Sequence, residues 1–388
     1  MIENPPVAAV LDPALRSTCL CLAVPRGARH DPQDRGGLAH VLEHVLMSAP
    51  IGSAGPLSEH VERLGGYANA DTGLETMLYY VRVLAEDADE VADLLLRAVL
   101  EPAIDEGVLD SERAAVLQEL AVAAADPADV VQDRFLAALF PEHPLGRPVG
   151  GTREEVEALT VGEVVKGHEV LFGHSVPVLA VVGPDLPGPL RSAAVARFAP
   201  QSGERHPLSS PHTTPLLQTT GFGWVAIGSR SAARGDNGAV WDVLSGLLGS
   251  SPSSVLYREL RGAGLAYSFQ SWHRGYLEAG AWRVLIGVEP QNVVRAAKVV
   301  SRSLERFAER GPSRQDLDAA VRGLRASILF DQESPLDHAR ALALAYLPGA
   351  DPHGEARLAA LAAVTADDVA AAARSALEQL VVVSRSTS

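Results

Sequence analysis

Apolar and polar residues alternate over short stretches of this chain and then change to the spacing of an amphipathic helix. In the first half, YYVRVLAEDADEVADLLLRAVLEP (79–102) begins with alternation and continues with apolar residues three and four apart. In the second half, WRVLIGVEPQNVVRAAKVVSRSLERF (282–307) does the same. A two-residue period favours a β-strand and a 3.6-residue period favours an α-helix. Each half therefore predicts a strand that leads into a helix.

Two longer segments match each other at a spacing of roughly 200 residues, which indicates an internal repeat. The apolar positions of 39–48 (AHVLEHVLMS) recur in 241–250 (WDVLSGLLGS), and 108–120 (VLDSERAAVLQEL) matches 312–324 (PSRQDLDAAVRGL). The chemically active polar positions of the first half have different residues opposite them: His40, Glu43, His44 and Glu119 face Asp242, Ser245, Gly246 and Gly323. We infer a duplicated unit that keeps its apolar helical faces and changes its polar ones.

The boundary between the repeats is predicted where both periodicities stop, between Pro184 and Pro215, in a stretch rich in Pro, Ser and Gly. The sequence therefore predicts a first domain at 1–184, a linker at 185–215 and a homologous domain at 216–388. Strands and helices do not alternate in βα order, which disfavours a parallel doubly wound sheet. The expected fold class is α+β, with two structurally related domains that each pack helices on a mainly antiparallel sheet.

Composition narrows the possible partners and location. With 33 basic and 48 acidic side chains the net charge is −15, which repels nucleic-acid phosphates and anionic lipids. We expect no nucleic-acid partner and no membrane association, since no apolar run approaches the ~20 residues that span a bilayer. The beginning, MIENPPVAAVLDP, lacks the pattern of a secretory signal. Cys19 and Cys21, the only cysteines, are expected to be buried thiols in a reducing compartment, and the predicted location is cytoplasmic.

His40, Glu43 and His44 form an H-x-x-E-H motif on a predicted helix that follows Gly36 and Gly37. Residues four apart share one face of a helix, so both imidazoles can point at one ion while Glu43 stands beside it. Two neutral imidazoles are suitable Zn²⁺ ligands, and a neighbouring carboxylate can act as general base toward the attacking water. The motif therefore indicates a zinc hydrolase site.

A third zinc ligand has to come from another element, because catalytic zinc sites usually have three protein ligands. Glu112 and Glu119 lie two turns apart on one face of the predicted helix SERAAVLQELAVAA (111–124), opposite an apolar stripe. One carboxylate can bind the metal while the other orients a ligand histidine. The two residues alone do not decide which has which role, and both are also interpretable as solvated surface carboxylates.

These segments resemble the inverted zinc-motif peptidases that include pitrilysin, insulin-degrading enzyme and the mitochondrial processing peptidase. The resemblance covers nearly the whole chain. GGLAHVLEHVLMSAP (36–50) looks like the zinc helix of that family, and GGYANADTGLETMLYYVRV (65–83) looks like its glycine turn and substrate-binding edge strand. SERAAVLQEL (111–120) is similar to its third-ligand helix, and the 74 residues between His44 and Glu119 match the family's spacing.

The resemblance implies a role for each of these residues. His40, His44 and Glu119 would hold one Zn²⁺ per chain, and Glu43 would be the general base. Glu112 would orient a ligand histidine without binding the metal itself. Other histidines have no paired spacing and are expected at the surface or at caps, among them His30, His60, His168 and His174.

The second half contributes a further motif to the resemblance. SSPSSVLYRELRGAGLAYSF (250–269) is similar to a family segment whose arginine and tyrosine reach over a substrate bound to another domain. Arg261 and Tyr267 match these two residues, with the tyrosine expected to stabilise an oxyanion. The segment between them is one residue shorter than usual in the family, so Arg258 is the alternative arginine.

Taken together, the resemblance implies a zinc-dependent endopeptidase that cleaves extended, unstructured peptides. The peptide would add to the exposed edge strand at Asn69 and Ala70. A non-catalytic or substrate-presenting subunit of a heterodimeric peptidase is the alternative, and a zinc hydrolase of non-peptide amides is a weaker one. Members that work alone have four such units, whereas this chain has two, half of a clamshell. A second family-like subunit is therefore expected, either an identical chain or a sister without the zinc motif.

Overall fold

The computed structural model describes residues 5–173, 175–195, 204–212, 222–235, 237–249, 251–346 and 354–386. The chain divides into two compact units. Unit 1 comprises Met1–Leu120, Arg147–Ser202 and Phe330–His353, and unit 2 comprises Ala121–Gly146, Gly203–Leu329 and Gly354–Ser388. Each unit is built around one sheet.

The sheet of unit 1 consists of β1 (Val7–Leu11), β2 (Ser17–Val24), β3 (Tyr67–Thr72), β4 (Met77–Leu84) and β5 (Val178–Gly183). The strands lie in the order β1-β5-β2-β4-β3. β1 pairs with β5 in parallel, and the other pairs are antiparallel. β3 is therefore an edge strand, which in the described part of the chain pairs only with β4.

The helices that follow the strands of the first repeat are α1 (Leu38–Ser48), α2 (Leu57–Arg63), α3 (Ala88–Leu100), α4 (Glu106–Ala125), α5 (Pro127–Leu139), α6 (Arg153–Ala158) and α7 (Val161–Gly173). Burial follows their apolar periodicity. Val91, Leu95 and Val99 of α3 are fully buried, as the four-residue spacing requires for one face.

Unit 2 has a four-stranded antiparallel sheet of β6 (Gly223–Ser231), β7 (Ala266–Gly275), β8 (Gly280–Val288) and β9 (Val381–Ser386), in the order β7-β8-β6-β9. The helices of the second half of the chain are α8 (Gly238–Leu247), α9 (Val293–Arg310), α10 (Arg314–Glu333), α11 (Pro335–Tyr346), α12 (Glu355–Ala363) and α13 (Ala366–Glu378). Of these, α11 belongs to unit 1. In this order, β7, β8, β6 and β9 correspond to β3, β4, β2 and β5 of the sheet in unit 1. The prediction of an α+β fold with two related, mainly antiparallel sheets is confirmed.

One helix of each repeat packs on the sheet that is formed by the strands of the other repeat. α5, from the first half of the sequence, packs on β6, β8 and β9, whereas α11, from the second half, packs on β2, β4 and β5. The compact units are therefore discontinuous in sequence. The contiguous division at 1–184, 185–215 and 216–388 stays a prediction about the repeats. Residues 196–203 and 213–221, in and just after the predicted linker, lie outside the described residues.

Strand β2 is buried on both faces because α11 covers the side that the other helices of unit 1 leave open. Leu20 and Leu22 point into the core shared with α1 and α3, while Cys19 and Cys21 point into the cluster formed with α11. Both cysteines are free and buried, as predicted, and burial raises the pKa of Cys19 to about 12. Within the described residues, no helix combines the length and the apolar character that a membrane span requires.

Candidate active site

The N-terminus of helix α1 is fixed by a buried carboxylate. Asp31 is 4% exposed, and its Oδ1 accepts a hydrogen bond from the backbone N–H of Ala39 at 3.0 Å. Burial raises the pKa of Asp31 to about 7. The hydrogen bonds from backbone N–H groups at the start of the helix and the positive charge of Arg147 lower this pKa, but by less than burial raises it. The Arg147 guanidinium in turn donates to the carbonyls of Arg29 and Pro32, each at 3.2 Å. These bonds set the direction in which α1 leaves the preceding turn.

Two pairs of glycines pack against each other at the same place. Gly37 has a φ of 83°, and a Cβ there would lie 2.4 Å from the carbonyl oxygen of Gly150. Gly151 has a φ of 69°, and a Cβ there would lie 2.3 Å from the backbone of Gly36. Only glycine fits this contact, since it has no Cβ and adopts positive φ without strain. The backbones thus approach closely enough to hold the entry to α1.

The segment after these glycines completes the support of α1. Thr152 and Glu155 form a capping box at the start of α6, and the Oε1 of Glu155 also accepts a hydrogen bond from Gly36 N–H at 3.2 Å. Neither this contact nor Asp31 was identified from the sequence. The sequence does carry a signal for the Glu155 contact, because GGTREE (150–155) combines paired glycines with a T-x-x-E capping pattern.

Helix α1 buries one face and presents the histidine pair on another. Val41, Leu42 and Val45 are fully buried, which leaves His40 and His44 at the partly exposed face. The two imidazole centroids are 4.9 Å apart and nearly perpendicular. The i, i+4 spacing in the sequence therefore has the expected consequence in the structure.

Helix α4 brings its glutamates to this histidine pair. Leu109 and Val116 anchor α4 in the core. The Oε2 of Glu119 lies 3.5 Å from the Nε2 of His40 and 3.4 Å from the Nε2 of His44. One donor atom from each of the three side chains lies within 4.8 Å of the others. Two imidazole nitrogens and one carboxylate oxygen are a donor set that fits Zn²⁺.

Glu112 lies behind the cluster. Its Oε2 is 3.4 Å from the Nδ1 of His44, the ring nitrogen on the other side from Glu119. A carboxylate in this place fixes the tautomer and the orientation of a ligand histidine. His40 differs, because its buried Nδ1 has no hydrogen-bond partner among the described residues and instead lies near Gly150. The structure thus separates the two glutamates that the residues alone left interchangeable.

Glu43 lies beside the cluster in a protected position. Burial raises the pKa of Glu43, and Asp71 and Glu119 act in the same direction, whereas the Thr72 hydroxyl and His44 oppose the change. Burial also lowers the pKa of His40, which favours the neutral imidazole that binds metal. A carboxyl group with a raised pKa next to three donor groups that fit a metal ion suits a group that accepts and later returns a proton.

Strand β3 runs alongside this cluster at the edge of the sheet. Ala70 is buried in the core that includes α1. Asn69 is exposed, is paired across the ladder with Tyr80, and donates from Nδ2 to the Tyr67 hydroxyl at 3.2 Å. Because successive side chains of a strand alternate, the Asn69 side chain lies on the face opposite α1. Any contact of Asn69 with a ligand at the α1 face would come from its main chain.

Arg261 and Tyr267 lie in unit 2 and contact each other. The Arg261 guanidinium is 4.3 Å from the centroid of the Tyr267 ring and 5.3 Å from that of Tyr257, at the end of a π-helical turn. Tyr267 itself is 77% exposed. Arg258 is instead held by Asp316 at 3.0 Å and by the carbonyl of Ser253. Of the two candidate arginines, Arg261 is the one that lies against Tyr267.

The other histidines differ in their surroundings. His30 accepts from Gly27 N–H at a turn, and His60 lies 3.0 Å from Glu90. His168 corrects our expectation of a surface or capping residue: it is buried, stacks on Phe172, and its Nε2 lies 2.8 Å from the Val99 carbonyl oxygen. This hydrogen bond permits burial of the imidazole. His174 lies outside the described residues.

Comparisons with known proteins give matches over nearly the whole chain. Residues 7–153 match the family described as Insulinase (Peptidase family M16), and residues 206–324 match the Peptidase M16 inactive domain. An uncharacterized zinc protease of Streptomyces coelicolor is 30% identical over 383 residues, which cover 94% of this chain and 83% of the relative. One of Mycobacterium tuberculosis is 31% identical over 335 residues, covering 83% of this chain and 76% of the relative.

Solved structures agree with the fold. A protease from Helicobacter pylori has a TM-score of 0.83 at 20% identity, covering 99% of this chain and 98% of that one. A peptidase M16 inactive domain from Pseudomonas fluorescens has a TM-score of 0.82 at 18% identity, covering 100% and 97%. At these identities the likeness shows the two-domain fold.

Proposed function

The chain belongs to peptidase family M16, the insulinase family, and from that premise we propose that it is a zinc-dependent endopeptidase that cleaves extended, unstructured peptides. One observation carries the proposal. Donor atoms of His40, His44 and Glu119, from two helices far apart in sequence, lie within 4.8 Å of one another. Relatives that are named zinc proteases support the choice of metal.

Each residue of the cluster has a distinct task in the proposed reaction. Zinc, when bound, supplies Lewis acidity and lowers the pKa of a water molecule. His40, His44 and Glu119 would hold the ion, while Glu112 would orient His44 through its Nδ1. The carboxylate of Glu43 takes a proton from the attacking water and later gives it to the leaving amine, a transfer that its raised pKa assists.

The proposed substrate class follows from strand β3. An edge strand offers unpaired main-chain N–H and C=O groups, to which an extended peptide adds as a further strand. Ala70 and Asn69 lie in the middle of β3, and Thr72 at its end lies beside Glu43. A folded protein is a poor substrate, because its own backbone groups are already paired.

The test of the proposal separates metal binding from turnover. Zinc-loaded protein should cleave an unstructured peptide and spare a compact protein; a chelator should abolish cleavage and added zinc should restore it. Glu43→Gln should keep zinc and lower kcat by about 10²- to 10⁴-fold, since the base is not a ligand. If the zinc-loaded chain cleaves no peptide either alone or together with its second subunit, the alternative of a substrate-presenting subunit is favoured over ours.

A second subunit is part of the same proposal. Tyr267 is exposed and stacked on Arg261, which suits a pair that acts on a substrate held by another subunit. Mixing Glu43→Gln protein with Tyr267→Phe protein distinguishes the two kinds of partner. Restored activity after subunit exchange indicates a homodimer with reciprocal sites, whereas absent activity after verified exchange indicates a sister subunit without the zinc motif.

A further inference from the structure

Strand β3 is the proposed peptide-binding strand, yet among the described residues a hydrogen-bond ladder holds it on one side only. An edge strand with one partner opens more easily than a central strand. On the α1 face, Ala70 packs in the core. The opposite face of β3 carries Asp71, one residue before the end of the strand near Glu43. Whatever binds Asp71 therefore acts on the part of the strand closest to the metal cluster.

Asp71 is bound by two side chains. Its Oδ2 accepts from the Nη2 of Arg340 at 2.5 Å, and its Oδ1 accepts from the Tyr80 hydroxyl at 3.3 Å. The Arg340 guanidinium also lies 4.6 Å from the centroid of the Tyr80 ring, and its Nη1 is 3.6 Å from Asp337. Burial raises the pKa of Tyr80 to about 12, so its hydroxyl remains a donor. Arg340 thus combines a charge-assisted hydrogen bond with a cation–π contact.

Arg340 is presented by a firmly packed helix. Ala339, Leu342 and Ala343 of α11 are buried in the cluster that α11 forms with β2 and β5 and with Tyr80 of β4. α11 comes from the second repeat, so Asp71 and Arg340 are 269 residues apart in sequence. The contact connects the edge strand to a helix that lies on the central strands of the sheet.

We propose that Arg340 is a positioning residue, which holds Asp71 and thereby fixes strand β3 in the form that receives a peptide. This inference rests on the proposed function and deepens it, because it assigns the alignment of the peptide-binding strand to a helix outside the metal cluster. The Arg340 and Asp71 side chains are 34% and 43% exposed. A pair this exposed contributes little to global stability, so its loss should change the strand and leave the unit folded.

The experiment uses the full-length, zinc-loaded chain and two readouts. In Arg340→Ala, hydrogen exchange of the amides of residues 67–72 should be about three- to fivefold faster than in the wild type, with zinc content unchanged. KM for an unstructured peptide should rise about three- to fivefold while kcat stays within about twofold. Asp71→Asn should give the same changes, and the double variant should be no worse than either single variant, because both remove one interaction.

Two further variants make the test specific. Arg97→Ala removes a comparable partly exposed ion pair on α3, with Asp93, and should change neither readout. Arg340→Lys keeps the charge without the planar fork and should lie between Arg340→Ala and the wild type. Unchanged exchange and KM in Arg340→Ala, or loss of its zinc, would overturn the inference. A wild type that cleaves no peptide either alone or together with its second subunit contradicts the proposed function instead, and the exchange comparison still decides whether Arg340 fixes β3.

Discussion

The helix pair α1 and α4 of unit 1 and the pair α8 and α10 of unit 2 come from the same repeat and carry different chemistry. Aligned on their apolar positions, α8 has Asp242 where α1 has His40, and Gly246 where α1 has His44. Asp242 lies 3.4 Å from the Nδ1 of His273 and 3.3 Å from the Nη2 of Arg357. The polar face that carries the proposed metal ligands in unit 1 carries an aspartate bound by a histidine and an arginine in unit 2.

The absence of a side chain at Gly246 changes the packing as well. A Cβ at Gly246 would lie 3.5 Å from the Cβ of Ala320 and 3.6 Å from the Cδ1 of Leu324, so α10 lies directly against α8. In unit 1, imidazole and carboxylate groups occupy the corresponding space. The apolar faces therefore maintain the repeat fold, while the polar faces are free to gain or lose a site.

The largest expected effect comes from giving unit 1 the residues of unit 2. The double variant His40→Asp, His44→Gly removes both imidazoles and should lower zinc content from about one ion per chain to nearly none. The helix should persist, since a glycine in a helix interior costs only about 1 kcal/mol. Metal analysis after dialysis measures the zinc, and circular dichroism monitors the fold.

His60→Ala is the matched control for this variant. His60 belongs to unit 1 and lies 3.0 Å from Glu90, away from the cluster of His40, His44 and Glu119. It should keep the full zinc content. A double variant that retains as much zinc as His60→Ala would refute the assignment of the ligands.

A smaller effect is expected from the residue behind the cluster. Glu112→Gln removes the charge next to the Nδ1 of His44 but leaves all three proposed ligands in place. Zinc affinity should fall by about 10- to 100-fold, the usual cost of losing a group that orients a ligand histidine. Competition with a chelator of known affinity measures it. Glu106→Gln, in the first turn of the same helix, should leave the affinity unchanged.

Local periodicity was sufficient to predict the elements that resemble each other in the two units. The apolar stripe of α1 and the i, i+4 spacing of His40 and His44 depend only on residues about one helical turn apart. The sequence alone therefore predicts them. The position of Glu119 came from a family resemblance, and the structure places it at the two histidines. The separate position of Glu112 likewise agrees with that resemblance.

Features that depend on tertiary contacts were not predictable in this way. The exchange of α5 and α11 between the sheets depends on how the chain passes from one unit to the other. The burial of His168 depends on one hydrogen bond to a carbonyl 69 residues away in sequence. The contact between Asp71 and Arg340 crosses the repeats. None of these leaves a periodic pattern in the sequence.

The next prediction concerns the start of α1, which in unit 1 is held by Asp31. The pKa of this carboxyl is about 7 in the folded protein and near 3.8 when exposed, so the folded state binds the extra proton between these values. Stability from this group is therefore highest at low pH and falls as pH rises toward 7, with a slope of up to about 1.4 kcal/mol per pH unit. Asp31→Asn should remove this dependence.

Denaturant unfolding of the metal-free wild type and Asp31→Asn at pH 5 and pH 8 measures the difference. The variant should gain stability relative to the wild type as pH rises, because the amide keeps an oxygen for Ala39 N–H and has no charge to bury. Other titrating groups are common to both proteins and cancel. A constant difference between the two proteins at both pH values would contradict the prediction.

The smallest effect is expected where unit 2 has other residues at the positions of the proposed ligands. Asp242→Asn removes the charge that faces His273 and Arg357, and these two partners lie in unit 2 with it. Zinc content and affinity should be unchanged, and the free energy of unfolding should fall by about 1 kcal/mol, since Asp242 is only partly exposed. The contrast with His40→Asp, His44→Gly is the point of the variant: the aligned position that determines metal binding in α1 should determine only local stability in α8. A measurable loss of zinc from Asp242→Asn would mean that the two units are coupled through this network, and the comparison between them would have to be redrawn on that basis.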